Sequence, residues 1–220
     1  MELASILLAR AMALVEPSEF NPRGVISYRD LVTAIVSRYN FQKYPQKLEE
    51  LDETKGVVFS SGQIGDREIS QLVIYTHGLL LDTRASTQES KHLLEEALGW
   101  ASKELKLAYK PSMIKRWLYT SQIVFYSKAS LTGISAAFQK LADGVESNVR
   151  NTTGESLRYE LTSLVVEYDQ LTRKHALGHF SIQRRENTPF SEDKYFSDAP
   201  LPTDVHIKLL EQFEADISSK

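Results

Sequence analysis

Three residues around a predicted tight turn have side chains that could move a proton or hold a phosphate. His77 stands before Gly78 in this turn, and Asp82 and Arg84 follow it. A histidine titrates near neutral pH, a carboxylate can orient its ring, and a guanidinium pairs with phosphate oxygens. The spacing matches no established catalytic motif, so an enzyme centred on these residues is one hypothesis and a solvated hairpin end is the alternative.

A pair of histidines later in the chain has a spacing that raises the question of a metal. His175 and His179 are four residues apart, and this spacing brings two ligands together only on a helix. Gly178 and the β-type residues that follow it predict a strand instead. We therefore expect no metal site, and His179 is kept as a single candidate for a catalytic role.

Basic and aromatic residues lie together at the ends of two predicted strands. This candidate ligand-binding set consists of Lys115, Arg116, Trp117, Tyr119, Arg184 and Arg185. If the two strands are neighbours, positive charges lie beside exposed rings, a combination that follows a phosphate backbone and stacks bases. The alternative is a solvated strand end with Trp117 in the core.

Composition and missing motifs narrow the classes of function. Lys and Arg total 26 against 29 Asp and Glu, and a net charge of -3 predicts no global attraction to nucleic acid or acidic membranes. The chain has no cysteine, which excludes disulfides, thiolate zinc sites and a cysteine nucleophile. Phosphate loops, dinucleotide-binding glycine motifs, serine elbows and zinc-protease motifs are also absent. We expect no cofactor.

The predicted elements begin with two helices, over residues 2–15 and from about residue 28 through Tyr39. The first is rich in Leu, Ile and Ala, a composition that favours helix. The second follows Ser27 and Asp30, which resemble a capping box. β-type runs at 57–60, 69–76 and 79–82 predict three antiparallel strands, followed by a helix from Ser86 to about residue 106.

The second half predicts a strand at 117–126, a helix at 131–150, paired strands at 159–168 and 178–185, and a last helix at 204–217. Apolar residues of the long helix step by three and four, at Leu131, Ile134, Phe138, Leu141 and Val145. Strands joined by hairpins, with helices between the groups, predict an α+β fold with a mostly antiparallel sheet, packed helices and an N-terminal helical segment. No internal sequence repeat is visible.

The predicted N-terminal helices divide the chain into an N-terminal helical segment, residues 1–44, and an α+β core domain, residues 45–220. The acidic start at Glu2 and the early Pro17 argue against a signal peptide or a membrane span. We therefore expect a soluble protein of the cytoplasm with no membrane partner.

Two function hypotheses follow from these patterns. An N-terminal helix that is apolar on most sides needs a partner, as does the seam from Leu131 to Val145. Together with the missing catalytic motifs, this predicts a non-catalytic interaction or assembly protein in a cytoplasmic complex, with a protein partner or self-association into a homo-oligomer. The alternative is a protein that binds or processes nucleic acid or nucleotides with its basic aromatic strand ends.

Overall fold

The computed structural model describes residues 1–24, 26–131, 134–169 and 177–219. Its helices and strands, in chain order, are β1 (Glu2–Leu14), α1 (Tyr28–Tyr39), β2 (Val57–Ile64), β3 (Arg67–Tyr75), β4 (Gly78–Thr83), α2 (Thr87–Glu104), β5 (Arg116–Tyr126), α3 (Ala136–Thr153), β6 (Ser163–Val166), β7 (Phe180–Arg184), β8 (Lys194–Ala199) and α4 (Thr203–Ser218). The strands form one sheet in the order β2-β3-β4-β1-β5-β8-β7-β6, and each pair with a described register is antiparallel. The predicted mixed fold with a mostly antiparallel sheet is confirmed.

The N-terminus is a strand, so the prediction of an N-terminal helical segment is wrong. β1 pairs antiparallel with β4, with Arg10 opposite Asp82 and Leu14 opposite Gly78. Ala9, Ala11 and Ala13 are fully buried at the two-residue spacing of a strand face. Helix propensity is a weak preference that sheet pairing overrides, and here small alanine side chains serve a buried strand.

The structure divides into two compact units. The first unit comprises Ile6–Ser121 and Pro200–Asp204, and the second comprises Met1–Ser5, Gln122–Ala199 and Val205–Lys220. The division of the chain at residue 44 stays a prediction. No helix in the described residues is long and apolar enough to cross a membrane.

In the first unit, helices α1 and α2 contribute to an apolar core with the strands. Both helices begin where the sequence predicts, because Ser27 accepts a hydrogen bond from the Asp30 N–H and Ser86 accepts one from the Glu89 N–H. The largest fully buried side chains of this core are Tyr39, Phe59, Ile69, Leu81, Leu93 and Leu94. Local capping residues therefore fixed these two helix starts.

In the second unit, the core forms around β8. Tyr195 stacks on Phe125 with ring centroids 5.7 Å apart, and its hydroxyl accepts a hydrogen bond from the Leu131 N–H at 3.0 Å. Leu131 is therefore a core residue before α3, and the helix starts later than the sequence predicts, with Ser135 as its N-cap. The predicted pairing of the two following strands is confirmed by β6 and β7.

The order of elements repeats within the chain, although the sequence shows no repeat. Each half reads β-α-β-β-β-α, and the strand order is β2-β3-β4-β1 in the first half and β6-β7-β8-β5 in the second. Thr87 and Thr203 are the first residues of α2 and α4, the last helix of each half. Each threonine hydroxyl accepts the backbone N–H of the other, at 2.8 and 3.0 Å. This reciprocal contact is buried.

Candidate interaction surface

The structure separates the three residues that the sequence groups around the turn. His77 lies between β3 and β4 with its side chain exposed, and its Nδ1 is 2.8 Å from Oε2 of Glu16. The Nζ of Lys115 is 3.1 Å from the other oxygen of Glu16. Hydrogen bonds from His77 and then Lys115 lower the pKa of the Glu16 carboxyl. The partner of His77 is thus Glu16, which lies 61 positions away in the chain.

Asp82 and Arg84 have environments different from that of His77. Asp82 is buried and receives two hydrogen bonds from Arg10, at 2.8 and 2.7 Å. Arg84 is exposed beyond the end of β4 and lines a polar cleft with residues of β2 and β3. Five strand residues span roughly 16 Å, and the two side chains have different partners, Glu16 for His77 and Arg10 for Asp82. His77 and Asp82 therefore do not contact each other as a catalytic pair. Their role in catalysis stays a prediction.

The two candidate histidines near β7 give no site that the structure describes. His179 is exposed just before β7, and His175 lies outside the described residues. Within the described residues, no group of three or more metal-ligating side chains is close enough to hold a metal ion. A catalytic role for His179 stays a prediction.

The basic aromatic residues at the start of β5 belong to the first unit. Arg116 is exposed, whereas Trp117 and Tyr119 are half-buried. The Nζ of Lys91 lies 5.3 Å from the centroid of the Trp117 ring, and Lys115 is paired with Glu16. One face of the Trp117 ring therefore already has a cation.

The other two basic residues belong to the second unit and differ sharply from each other. Arg185 is exposed. Arg184 is buried, and its guanidinium lies 2.7 Å from Glu160 and 3.2 Å from Asp193. The same group donates to the Phe190 carbonyl at 2.8 Å. Two carboxylates already neutralise this guanidinium, so it stabilises the fold and is not free to bind a phosphate. Nucleic-acid binding by the set stays a prediction.

Helix α3 is the least covered element of the second unit. None of its 18 residues is buried. Its apolar side chains nevertheless fall at helical spacing: Phe138, Leu141 and Val145 are 47%, 64% and 38% exposed. We call these three residues the α3 stripe. An amphipathic helix normally buries its apolar side, so the stripe is an unpartnered surface within the described residues.

A charged residue lies beside the α3 stripe. By the 3.6-residue period of a helix, Glu146 lies about 100° around the helix axis from the middle of the stripe, whereas Lys140 lies on the opposite side of the helix with Ser147. Glu146 also forms an ion pair with Arg150 at 2.8 Å, within the same helix. A partner for the stripe must therefore offer an apolar surface.

Strand β6 is a second exposed apolar feature of the same unit. Among the described strands, it stands at the end of the strand order, next to β7 alone. Val165 and Val166 are 54% and 58% exposed. An edge strand has unpaired backbone groups that can accept another strand, so β6 offers a second place for association.

The sequence predicted the apolar residues of the α3 stripe but did not indicate the contacts of Glu16. It predicted the apolar spacing of the stripe, but placed Leu131 and Ile134 in the same helix. It gave no signal for Glu16, because the partners of Glu16 come from distant positions in the chain. No family model matches this chain, and no curated protein matches it either.

Proposed function

We propose that this protein is a non-catalytic assembly protein that associates with a second copy of itself along the α3 stripe. The observation that carries the proposal is an 18-residue amphipathic helix with no buried residue. Leu141 carries the greatest weight, because 64% of it is exposed and a leucine gains about 1.5 to 3 kcal/mol from full burial.

A second copy fits the stripe because the helix is complementary to itself when two copies run antiparallel. If the two helices cross at the axial level of Asp143, Leu141 of one copy faces Val145 of the other, because the two residues are symmetric about position 143 and both belong to the stripe. A two-fold contact of this kind repeats each favourable pair twice.

The length of the helix sets the strength we expect. Eighteen residues span about 27 Å of helix, so a contact between two such helices buries less area than most permanent dimers. Association should therefore depend on protein concentration. This expectation distinguishes the proposal from an obligate oligomer.

Sedimentation velocity over a range of concentrations tests the proposal. Leu141→Lys places a charge in the stripe, and we expect it to convert the dimer into a monomer. Ser147→Lys adds the same side chain at an exposed position on the opposite side of α3, and we expect it to leave the dimer intact. A wild-type protein that is monomeric at every concentration would overturn the proposal.

A third variant tests whether the contact lies on α3 at all. Val165→Lys changes the exposed edge strand β6 and leaves the stripe intact. We expect it to retain the dimer. If Val165→Lys abolishes association and Leu141→Lys does not, the copies meet along β6 and the assignment to α3 is wrong.

A further inference from the structure

The first unit contains an apolar cavity that the self-association proposal does not use. The cavity has a volume of about 300 Å³ and lies between α1, α2 and the strands β3 and β4. Its walls include Ile35, Leu72, Leu94 and Leu98, all of them buried. Close packing normally leaves few voids larger than a water molecule, so a space of this size is a candidate binding site.

One wall of the cavity consists of two aromatic rings that are held from outside. Tyr39 and Trp100 both line the cavity and meet edge to face, with centroids 6.0 Å apart. The guanidinium of Arg38 lies 4.9 Å from the Trp100 ring and 5.4 Å from the Tyr39 ring. Arg38 is itself paired with Glu96 at 3.3 Å. These contacts fix the rings in place, and a fixed wall lowers the entropy that a ligand must lose on binding.

Tyr39 is buried and its hydroxyl accepts a hydrogen bond from Nε of Arg38 at 3.2 Å, whereas the other polar residues of the lining are partly or fully exposed. Ser18 and Tyr28 are exposed, and Glu53 is half-buried. The side chain of Asn21 is already hydrogen-bonded to the backbone of Ile26. The cavity therefore has an apolar interior and a polar mouth, the arrangement that receives a molecule with an apolar body and one polar end.

The charge of the lining restricts the polar end of the ligand. No Lys, Arg or His is among the described residues that line the cavity, and Glu53 is the one residue among them with a carboxylate. A ligand carboxylate at this mouth would lie near the Glu53 carboxylate, with no cation among the described lining residues to offset the repulsion. An uncharged hydroxyl or amide meets no such repulsion.

The volume sets the size of the ligand. An apolar cavity of roughly 150 Å³ takes up benzene, and the cavity here is about twice as large. We infer that the cavity binds an uncharged, mostly apolar small molecule of roughly a dozen non-hydrogen atoms, with its single polar group at the mouth formed by Ser18, Tyr28 and Glu53.

Calorimetric titration with decanol and decanoate tests both the site and the ligand class. The two molecules have the same chain, and near neutral pH decanoate carries a negative charge. We expect saturable binding of decanol with one site per chain, and at least tenfold weaker binding of decanoate. Equal affinities would overturn the assignment of an uncharged ligand, and no saturable binding of either would overturn the site.

Cavity-filling variants locate the binding. Ala97→Leu and Leu31→Phe fill the cavity from α2 and from α1, and we expect each to weaken decanol binding at least tenfold. Ala108→Leu is the control for Ala97→Leu, because it makes the same alanine-to-leucine change at an exposed residue outside the lining. It should leave the decanol affinity unchanged. Circular dichroism identifies the variants that fold. Unchanged decanol affinity in a folded cavity-filling variant would overturn the inference.

A single-tryptophan protein provides a second readout. The chain has two tryptophans, so Trp117→Phe leaves Trp100, in the cavity wall, as the only source of tryptophan emission. Decanol should shift this emission with the same saturation curve that calorimetry gives. Binding without any change in Trp100 emission would place the ligand elsewhere and overturn the inference.

Discussion

The hydroxyl of Ser197 lies 2.8 Å from Nε2 of His206, and both side chains are fully buried. Ser197 donates its own hydrogen to the carbonyl of Ser181 at 2.6 Å, so Nε2 of His206 must be the donor of this contact. Burial lowers the pKa of His206 to about 4, so the imidazole is neutral near pH 7. With Nε2 as the donor, Nδ1 of the neutral ring carries no hydrogen, and it has no hydrogen-bond partner in the described residues.

Stability should fall in mild acid because of His206. Burial lowers the pKa of His206 from 6.5 to about 4, so the unfolded chain binds a proton more readily than the folded one. The contribution of the neutral His206 to the free energy of unfolding is fully present above pH 6.5 and is lost as the pH falls towards 4. This loss amounts to at most about 3 kcal/mol. Urea unfolding at a series of pH values measures it. His206→Gln should reduce the pH dependence of the free energy of unfolding in this range, whereas His179→Gln, at an exposed position, should not.

Replacing Arg184 should lower the free energy of unfolding, because its guanidinium pairs with carboxylates inside the fold. Arg184→Ala leaves the exposed Arg158 as the remaining described ion-pair partner of Glu160, and breaking a buried ion pair costs up to about 3 to 5 kcal/mol. The exposed neighbour Arg185→Ala is the control, and should change stability by less than about 0.5 kcal/mol. Chemical unfolding of the two variants gives the comparison. An Arg184→Ala protein with wild-type stability but weakened nucleic-acid binding would instead favour the nucleic-acid hypothesis.

The reciprocal threonine contact should give a strong energetic coupling. Thr87→Val keeps the shape of the side chain but leaves the backbone N–H of Thr203 without its acceptor, at a cost of about 1 to 3 kcal/mol. Thr203→Val should cost a similar amount for the same reason. The two hydroxyls also contact each other at 3.3 Å, and either change removes this contact. The double variant should therefore lose less stability than the sum of the two. Thr33→Val, on the exposed side of α1, is the control for the substitution itself.

Features set by neighbours in the chain could be predicted from the sequence, whereas those set by distant partners could not. Ser27 and Ser86 start helices because each accepts a hydrogen bond from a residue three positions later. β1 was predicted as a helix because its composition favours one, and its strand partner β4 is about 70 positions away. Arg184 was predicted as a ligand residue because the sequence does not show that Glu160 and Asp193 reach it.

The predicted helix and the observed strand β1 lead to different expectations for a protein that lacks residues 1–16. If this segment were a sticky helical appendage, its loss would lower the oligomeric mass and leave the core folded. The structure places β1 between β4 and β5 in the strand order, and buries Ala9, Ala11 and Ala13 completely. Truncation therefore removes an interior strand, and it cannot serve as a test of self-association.

The repeated β-α-β-β-β-α order has a consequence for the history of the gene. Duplication of a shorter coding sequence, followed by fusion of the two copies, produces two halves with one topology in a single chain. Asp82 and Asp198 each precede the threonine of their half by five positions, but the first accepts hydrogen bonds from Arg10 and the second from Gln122. On a duplication hypothesis, the donor to this aspartate has come to differ between the two halves, a charged guanidinium in one and a neutral amide in the other. Expression of a synthetic gene for the first half alone would show whether two copies of a single half can fold together.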